Sequence, residues 1–196
     1  MNVVPISRFR PRSQPLICFV DLQVEYVSPG RALAVEETDP WMGNCRRILA
    51  FAREQRLPIA HFRQLRRDAY LNAATSFASW IDEFKPLPSE MVFERSLPSC
   101  YSADPFADMA ENIDDPLIVI VGLTSSGACL ATAVDSFHRQ HACCFVSDAS
   151  WSRPLGSANA RQTNAFAGEI IRQYSSVLST AETIKWLTTE KFSLVS

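Results

Sequence analysis

The apolar run Pro116-Leu117-Ile118-Val119-Ile120-Val121 passes without a break into Gly122-Leu123-Thr124-Ser125-Ser126-Gly127-Ala128-Cys129-Leu130-Ala131-Thr132-Ala133. A short, uninterrupted apolar run bounded by glycine reads as a strand covered on both faces. The small-residue stretch behind it reads as a tight turn opening a helix. Such a unit restricts the chain to folds in which a central strand has helices on both sides. It also presents one side chain and several backbone N–H groups at the carboxyl edge of the sheet, where open α/β folds build their sites.

The rest of the chain repeats the alternation. Residues 16–20 form an apolar run ending at Asp21, consistent with a central parallel strand. Asp39-Pro40 opens a helix, with aspartate as cap and proline in the first turn, and Met42, Ile48, Leu49 and Ala52 recur at helical spacing. Strands are predicted over 57–62, 91–93, 117–121, 142–147 and 177–178, and helices over 104–112, 126–139, 157–174 and from 181. Residues 64–88 are irregular and polar but hold Tyr70, Phe77, Trp80 and Phe84, the pattern of a pocket wall or an oligomer contact. These elements specify one three-layer αβα domain over residues 15–196, with a mostly parallel, Rossmann-like sheet of about six strands. Residues 1–14, with Arg8, Arg10 and Arg12 between Pro5 and Pro11, lack the apolar stretch of a secretory signal and read as a flexible arm.

Composition narrows the function classes. The 196 residues carry a net charge of -2, which offers no general attraction for nucleic acid or anionic membrane. No apolar run approaches the ~20 residues needed to span a bilayer. The six cysteines lie mostly in apolar segments without metal-ligand or disulfide spacing, as buried thiols of a cytoplasmic protein would.

Three positions converge on the carboxyl edge of such a sheet: Asp21, Arg95 and the turn ending at Ala128. A carboxylate closing an apolar strand is costly to desolvate, so Asp21 is either paired or chemically active. Arg95, in Glu94-Arg95-Ser96-Leu97-Pro98-Ser99-Cys100-Tyr101, reads on its own as a surface or ion-pair residue. Together these segments resemble the isochorismatase-like superfamily of cysteine hydrolases, which includes nicotinamidases and N-carbamoylsarcosine amidohydrolases. Asp21-Leu22-Gln23 resembles its first-strand Asp-x-Gln. Arg95 falls where the family has lysine, followed by Ser99-Cys100-Tyr101 in place of Ser-Ala-Phe. The segment from Gly122 to Ala128 falls on a Gly-x-x-Thr-Ser-Gly-Cys pattern that continues through Asp135, and Ser147-Asp148-Ala149 resembles the Asp-Ala closing the next strand.

The resemblance implies hydrolysis of a linear C–N bond in a small amide, ureide or hydrazide through a cysteine thioester. The aspartate would act as general acid/base and the cation would favour the thiolate. A cis peptide at Leu123-Thr124 and the N–H groups around Ala128 would cradle the oxyanion. Two departures stand out. Arg95 keeps the charge of lysine but cannot share a proton, and Ala128 occupies the nucleophile position. Cys129 is one residue, or ~100°, further round the helix, and reads as a packing residue. Three accounts of Ala128 remain open: an inactivated amidase, an isochorismatase-type vinyl-ether hydrolase that needs no cysteine, and a non-catalytic binding or assembly subunit. Gln23, Tyr26, Trp80, Tyr101 and Trp151 are expected to line the substrate cavity. Arg63, Arg66 and Arg67 form a basic cluster that either holds a substrate carboxylate or faces solvent. His61 reads as a strand-end histidine, and His138 and His141 as helix-terminal ones. No Asp-x-His pair appears, so no metal and no cofactor are expected. The resemblance further implies a homodimer or homotetramer.

Overall fold

In a computed structural model, residues 15–189 are described; the arm assigned to residues 1–14 and the last seven residues lie outside them. Six strands form one parallel sheet in the order β3-β2-β1-β4-β5-β6. They are β1 (Leu16–Val20), β2 (Ile59–Gln64), β3 (Met91–Arg95), β4 (Leu117–Leu123), β5 (Ala142–Trp151) and β6 (Ser176–Leu178). The helices are α1 (Thr38–Glu54), α2 (Asp104–Glu111), α3 (Leu130–His138), α4 (Ala160–Ile171) and α5 (Thr180–Thr189).

Alternation along the central strands divides the core in two. Ile17, Phe19, Val119, Val121 and Val146 pack with Trp41, Cys45, Ile48 and Leu49 of α1 and Leu187 of α5. Cys18, Val20, Phe62, Ile118, Ile120 and Phe145 pack on the opposite face, with Phe106 of α2, Ala133 of α3 and Ile171 of α4. The strand order changes direction at β1/β4, since the chain leaves β1 towards β2 and returns to β4. The crevice above the carboxyl ends of β1 and β4 is therefore the fold's natural binding place.

Several boundaries differ from the sequence expectation. The first helix begins at Thr38 after Glu37, whose φ of 52° is left-handed, and no side chain caps it. Asp39 is inside the first turn, not its cap; Pro40 is accommodated there because first-turn N–H groups have no helical acceptor. The second strand starts at Ile59 because Pro58 has no N–H, although its carbonyl still accepts from Ile17 N at 2.9 Å. It then runs on through Gln64, which pairs with Arg95. His61 is consequently inside the strand, not at its end. The fifth strand runs ten residues, because Ser150 and Trp151 re-pair with Gly122 and Leu123 after a register shift. The fourth helix is shorter than expected, starting where Asn159 and Gln162 form a reciprocal capping box.

Candidate active site

The site begins where β1 stops. Val20 pairs with Gly122 of β4, and the next residue leaves the strand: Asp21 adopts φ 51° while its N–H still donates to the Phe62 carbonyl at 2.9 Å. Gly122 is required at this crossing. Its φ is 119°, and a Cβ there would lie 2.2 Å from the Val20 carbonyl oxygen, well inside contact distance.

The Asp21 carboxyl group is 1% exposed and meets Arg95, itself 4% exposed, with Nη2 donating to Oδ2 at 2.7 Å. Arg95 Nη1 donates to the Leu97 carbonyl at 2.6 Å, fixing the guanidinium in place. Asp21 Oδ1 and Arg95 Nε have no hydrogen-bond partner. Burial pushes the Asp21 carboxyl up to about 6, with the charge and hydrogen bond of Arg95 opposing the rise. Desolvation thus outweighs a single good ion pair. Oδ1 becomes an oxygen that can hold or release a proton near neutral pH.

The turn after β4 is a single π-helical turn, Ser125–Cys129, entered through a cis Leu123-Thr124 peptide. The Thr124 carbonyl accepts from the N–H groups of both Gly127, at 3.0 Å, and Cys129, at 3.1 Å. The extension of β5 braces this turn. Ser150 Oγ accepts from Gly122 N at 3.1 Å, and Ser152 Oγ accepts from Ser126 N at 3.1 Å. Asn164 of α4 bonds Ser125 Oγ. Sequence reasoning missed Ser150, Ser152 and Asn164. The available signal was the two-residue spacing of Ser150 and Ser152, which places both hydroxyls on one side of an extended chain.

Ala128 is 6% exposed and shares an apolar cluster with Val20 and Cys100. Its carbonyl accepts from Thr132 Oγ1 at 2.8 Å, and that oxygen accepts from Cys100 N at 3.0 Å. Two hydrogen bonds therefore tie the start of α3 to the segment that follows Arg95. The neighbouring Cys129 is fully buried, with Sγ directed at the Gly122 carbonyl 3.6 Å away. Burial pushes its thiol far up, and the nearby Cys100 and Asp21 add to the rise. Cys100 adjoins Arg95, yet burial still raises its thiol to about 11. Neither sulfur is a ready thiolate.

The remaining sequence-selected residues separate. Tyr26 is buried and lies near enough to Asp21 and Arg95 for both charges to act on its hydroxyl, which burial above all holds in the neutral form. Trp151 pairs with Leu123, so it flanks the turn, and its Nε1 is buried without a partner. Gln23 is turned to the backbone: its amide donates to the Gln64 and Ala78 carbonyls and accepts from Gln64 N. Tyr101 packs on Phe106, and its hydroxyl meets Ser136 at 3.2 Å and His141 Nδ1 at 2.9 Å. Trp80 lies against His61, which bonds Glu90 on the α1 face of the sheet. Arg63 pairs with Glu94 and Arg66 with Asp68; Arg66 and Arg67 line one cleft, and Arg63 lines another. Among the described residues, no group of three His, Cys, Asp or Glu side chains is placed to hold a metal ion.

This sheet edge therefore carries a protonatable carboxyl, its paired cation and, at the end of the neighbouring strand, the turn that holds Ala128 against Val20 and Cys100. The same fold is found in an isochorismatase from Pseudomonas putida KT2440, with TM-score 0.78 and 21% identity over 92% of this chain and 93% of that one. It is found again in a cysteine hydrolase from Pseudomonas syringae pv. phaseolicola 1448A, with TM-score 0.80 and 18% identity over 91% and 94%. No curated protein matches the chain. The isochorismatase domain model matches residues 15–182, and the chain belongs to that hydrolase family.

Proposed function

We propose that this chain is a small-molecule hydrolase of the isochorismatase type, cleaving a vinyl ether by proton transfer from Asp21 with no covalent intermediate. The observation that carries the reading is the pairing of a buried carboxyl, raised to about 6, with a nucleophile position occupied by Ala128. General acid catalysis is efficient when the acid titrates near the working pH. A methyl group supplies no thiolate, and Cys129 points into the sheet.

In this reading Arg95 holds Oδ2, and Oδ1 carries the proton. That proton passes to the methylene carbon of the vinyl group, whose π electrons form the new C–H bond. The adjacent carbon becomes an oxocarbenium ion stabilised by the ether oxygen. Water adds to it and returns a proton to Asp21, and the hemiketal collapses with cleavage of its C–O bond. One water is consumed, and a ketone and an alcohol are formed. In this reading Tyr26, beside the carboxyl, and Trp151, beside the turn, would contact the substrate.

A second reading, thioester hydrolysis of an amide, ureide or hydrazide, is favoured by the place of position 128 in the turn that opens α3, tied to the segment that follows Arg95. It requires a sulfur at position 128. The two readings separate in one experiment that assays the chain and its Ala128→Cys variant against isochorismate and a panel of amides, ureides and hydrazides. The vinyl-ether reading expects turnover of isochorismate by the chain with Ala128. Amide turnover by the cysteine variant alone, with no isochorismate turnover by either, would establish the thioester reading instead.

A further inference from the structure

Away from Asp21, a cleft of about 550 Å³ opens along the edge strand β3, with Trp80 as one wall. We propose that it is a second small-molecule site, taking a planar aromatic ligand that bears a negative charge. Its volume falls in the range of small-molecule pockets, roughly 300–1,000 Å³. Leu87 and Val92, each 46% exposed, supply apolar surface that the fold itself leaves uncovered. The indole of Trp80 is held edge-on against the buried His61 ring, at 5.8 Å between centroids, while His61 stacks on Phe19 at 5.4 Å. The aromatic wall therefore stands on rigid support and offers a flat partner for a ring.

The charge offered to a ligand there is positive. The Arg63 guanidinium lies 5.7 Å from the Trp80 ring centroid, and Lys85 lines the same cleft. The carboxylate of Glu90 also lines it, but that group accepts from Arg53, His61 and the Leu87 N–H and is already neutralised. Arg63 and Lys85 have only exposed partners, Glu94 at 49% and Asp82 at 92% side-chain exposure. Exposed pairs of this kind are weak, so an incoming carboxylate or phosphate can displace them. Burial lowers the His61 titration and keeps the ring neutral, so Nε2–H donates to Glu90 and Nδ1 is left as a buried acceptor with no partner.

The cleft is separate from the Asp21–Arg95 pair but attached to it. Val24 N donates to the Ser79 carbonyl and Ile81 N to the Leu22 carbonyl, both at 2.9 Å, so the segment carrying Trp80 is laced to the residues just after Asp21.

The test is isothermal titration of the chain with 2-naphthoate, with neutral 2-naphthamide as the comparison. The carboxylate should bind, and the amide should bind at least about fivefold more weakly. Trp80→Leu should weaken naphthoate binding about tenfold or more, and the exposed substitution Lys85→Glu should reduce it to a similar degree without threatening the fold. Asp21→Asn should leave it unchanged. Absence of naphthoate binding, binding unaltered by Lys85→Glu, or binding lost in Asp21→Asn while the fold persists, would overturn the assignment.

Discussion

Asp21 and Arg95 form an almost wholly buried ion pair, and each keeps one polar atom without a partner. Removing one member of such a pair leaves the other as an uncompensated buried charge. Arg95→Ala is therefore expected to lower stability by about 3–5 kcal/mol and to raise the Asp21 titration further, because the opposing cation is gone. Denaturant unfolding and the pH dependence of activity measure the two effects. Asp21→Asn should cut turnover by about 10²–10⁴, the range associated with a positioned general acid. Cys129 belongs to a different class. Its thiol is packed against the Gly122 carbonyl, so Cys129→Ala should cost about 1 kcal/mol in unfolding experiments and leave turnover unchanged. Loss of activity in that variant would restore the sulfur as a participant.

At the level of elements, the π-helical turn and the strands that hold it decide where Ala128 sits relative to the end of β1. Gly122→Ala would drive a methyl group into the Val20 carbonyl, one residue before Asp21. Close packing and a φ of 119° together predict a loss of roughly 3–5 kcal/mol, or failure to fold. Ser152→Ala should be milder, about 1 kcal/mol, because one half-buried N–H at Ser126 loses its acceptor. Its turnover should drop more than its substrate affinity, which steady-state kinetics will separate. The central strands were legible in the sequence because β1 and β4 are continuous apolar runs, and a strand covered on both faces needs that composition. The extension of β5 was not, since Ser147-Asp148-Ala149-Ser150-Trp151 has turn-like composition and becomes strand only by re-pairing with Gly122 and Leu123. The hydroxyls bracing the turn were hidden by the same composition. Asp21 and Arg95 could be picked out as strand-end charges, but their mutual pairing depends on β1 and β3 being separated by β2 alone. Gln23 and Tyr101 look like pocket residues in a linear chain; only the folded backbone shows their polar atoms engaged elsewhere.

For the molecule as a whole, one buried acid links stability to pH. The Asp21 carboxyl titrates at about 6 when folded and at 3.8 ordinarily. The folded state thus binds this proton more tightly than the unfolded chain does. Its contribution is fully present below about pH 4 and is lost as pH rises through about 6, a change of about 3 kcal/mol. Asp21→Asn removes that titration, so the stability difference between variant and parent should shift in the variant's favour by about that amount between pH 4 and pH 7. Unfolding curves at several pH values check it. In the vinyl-ether reading the same proton would set the chemistry, since the acid form would be the one that donates. The decisive measurement is the rate of isochorismate hydrolysis by the chain with Ala128, followed from about pH 4.5 to pH 8. The account predicts turnover that falls as pH rises through about 6 and drops by about 10²–10⁴ in Asp21→Asn. No turnover at any pH, or a rate indifferent to Asp21, would contradict it.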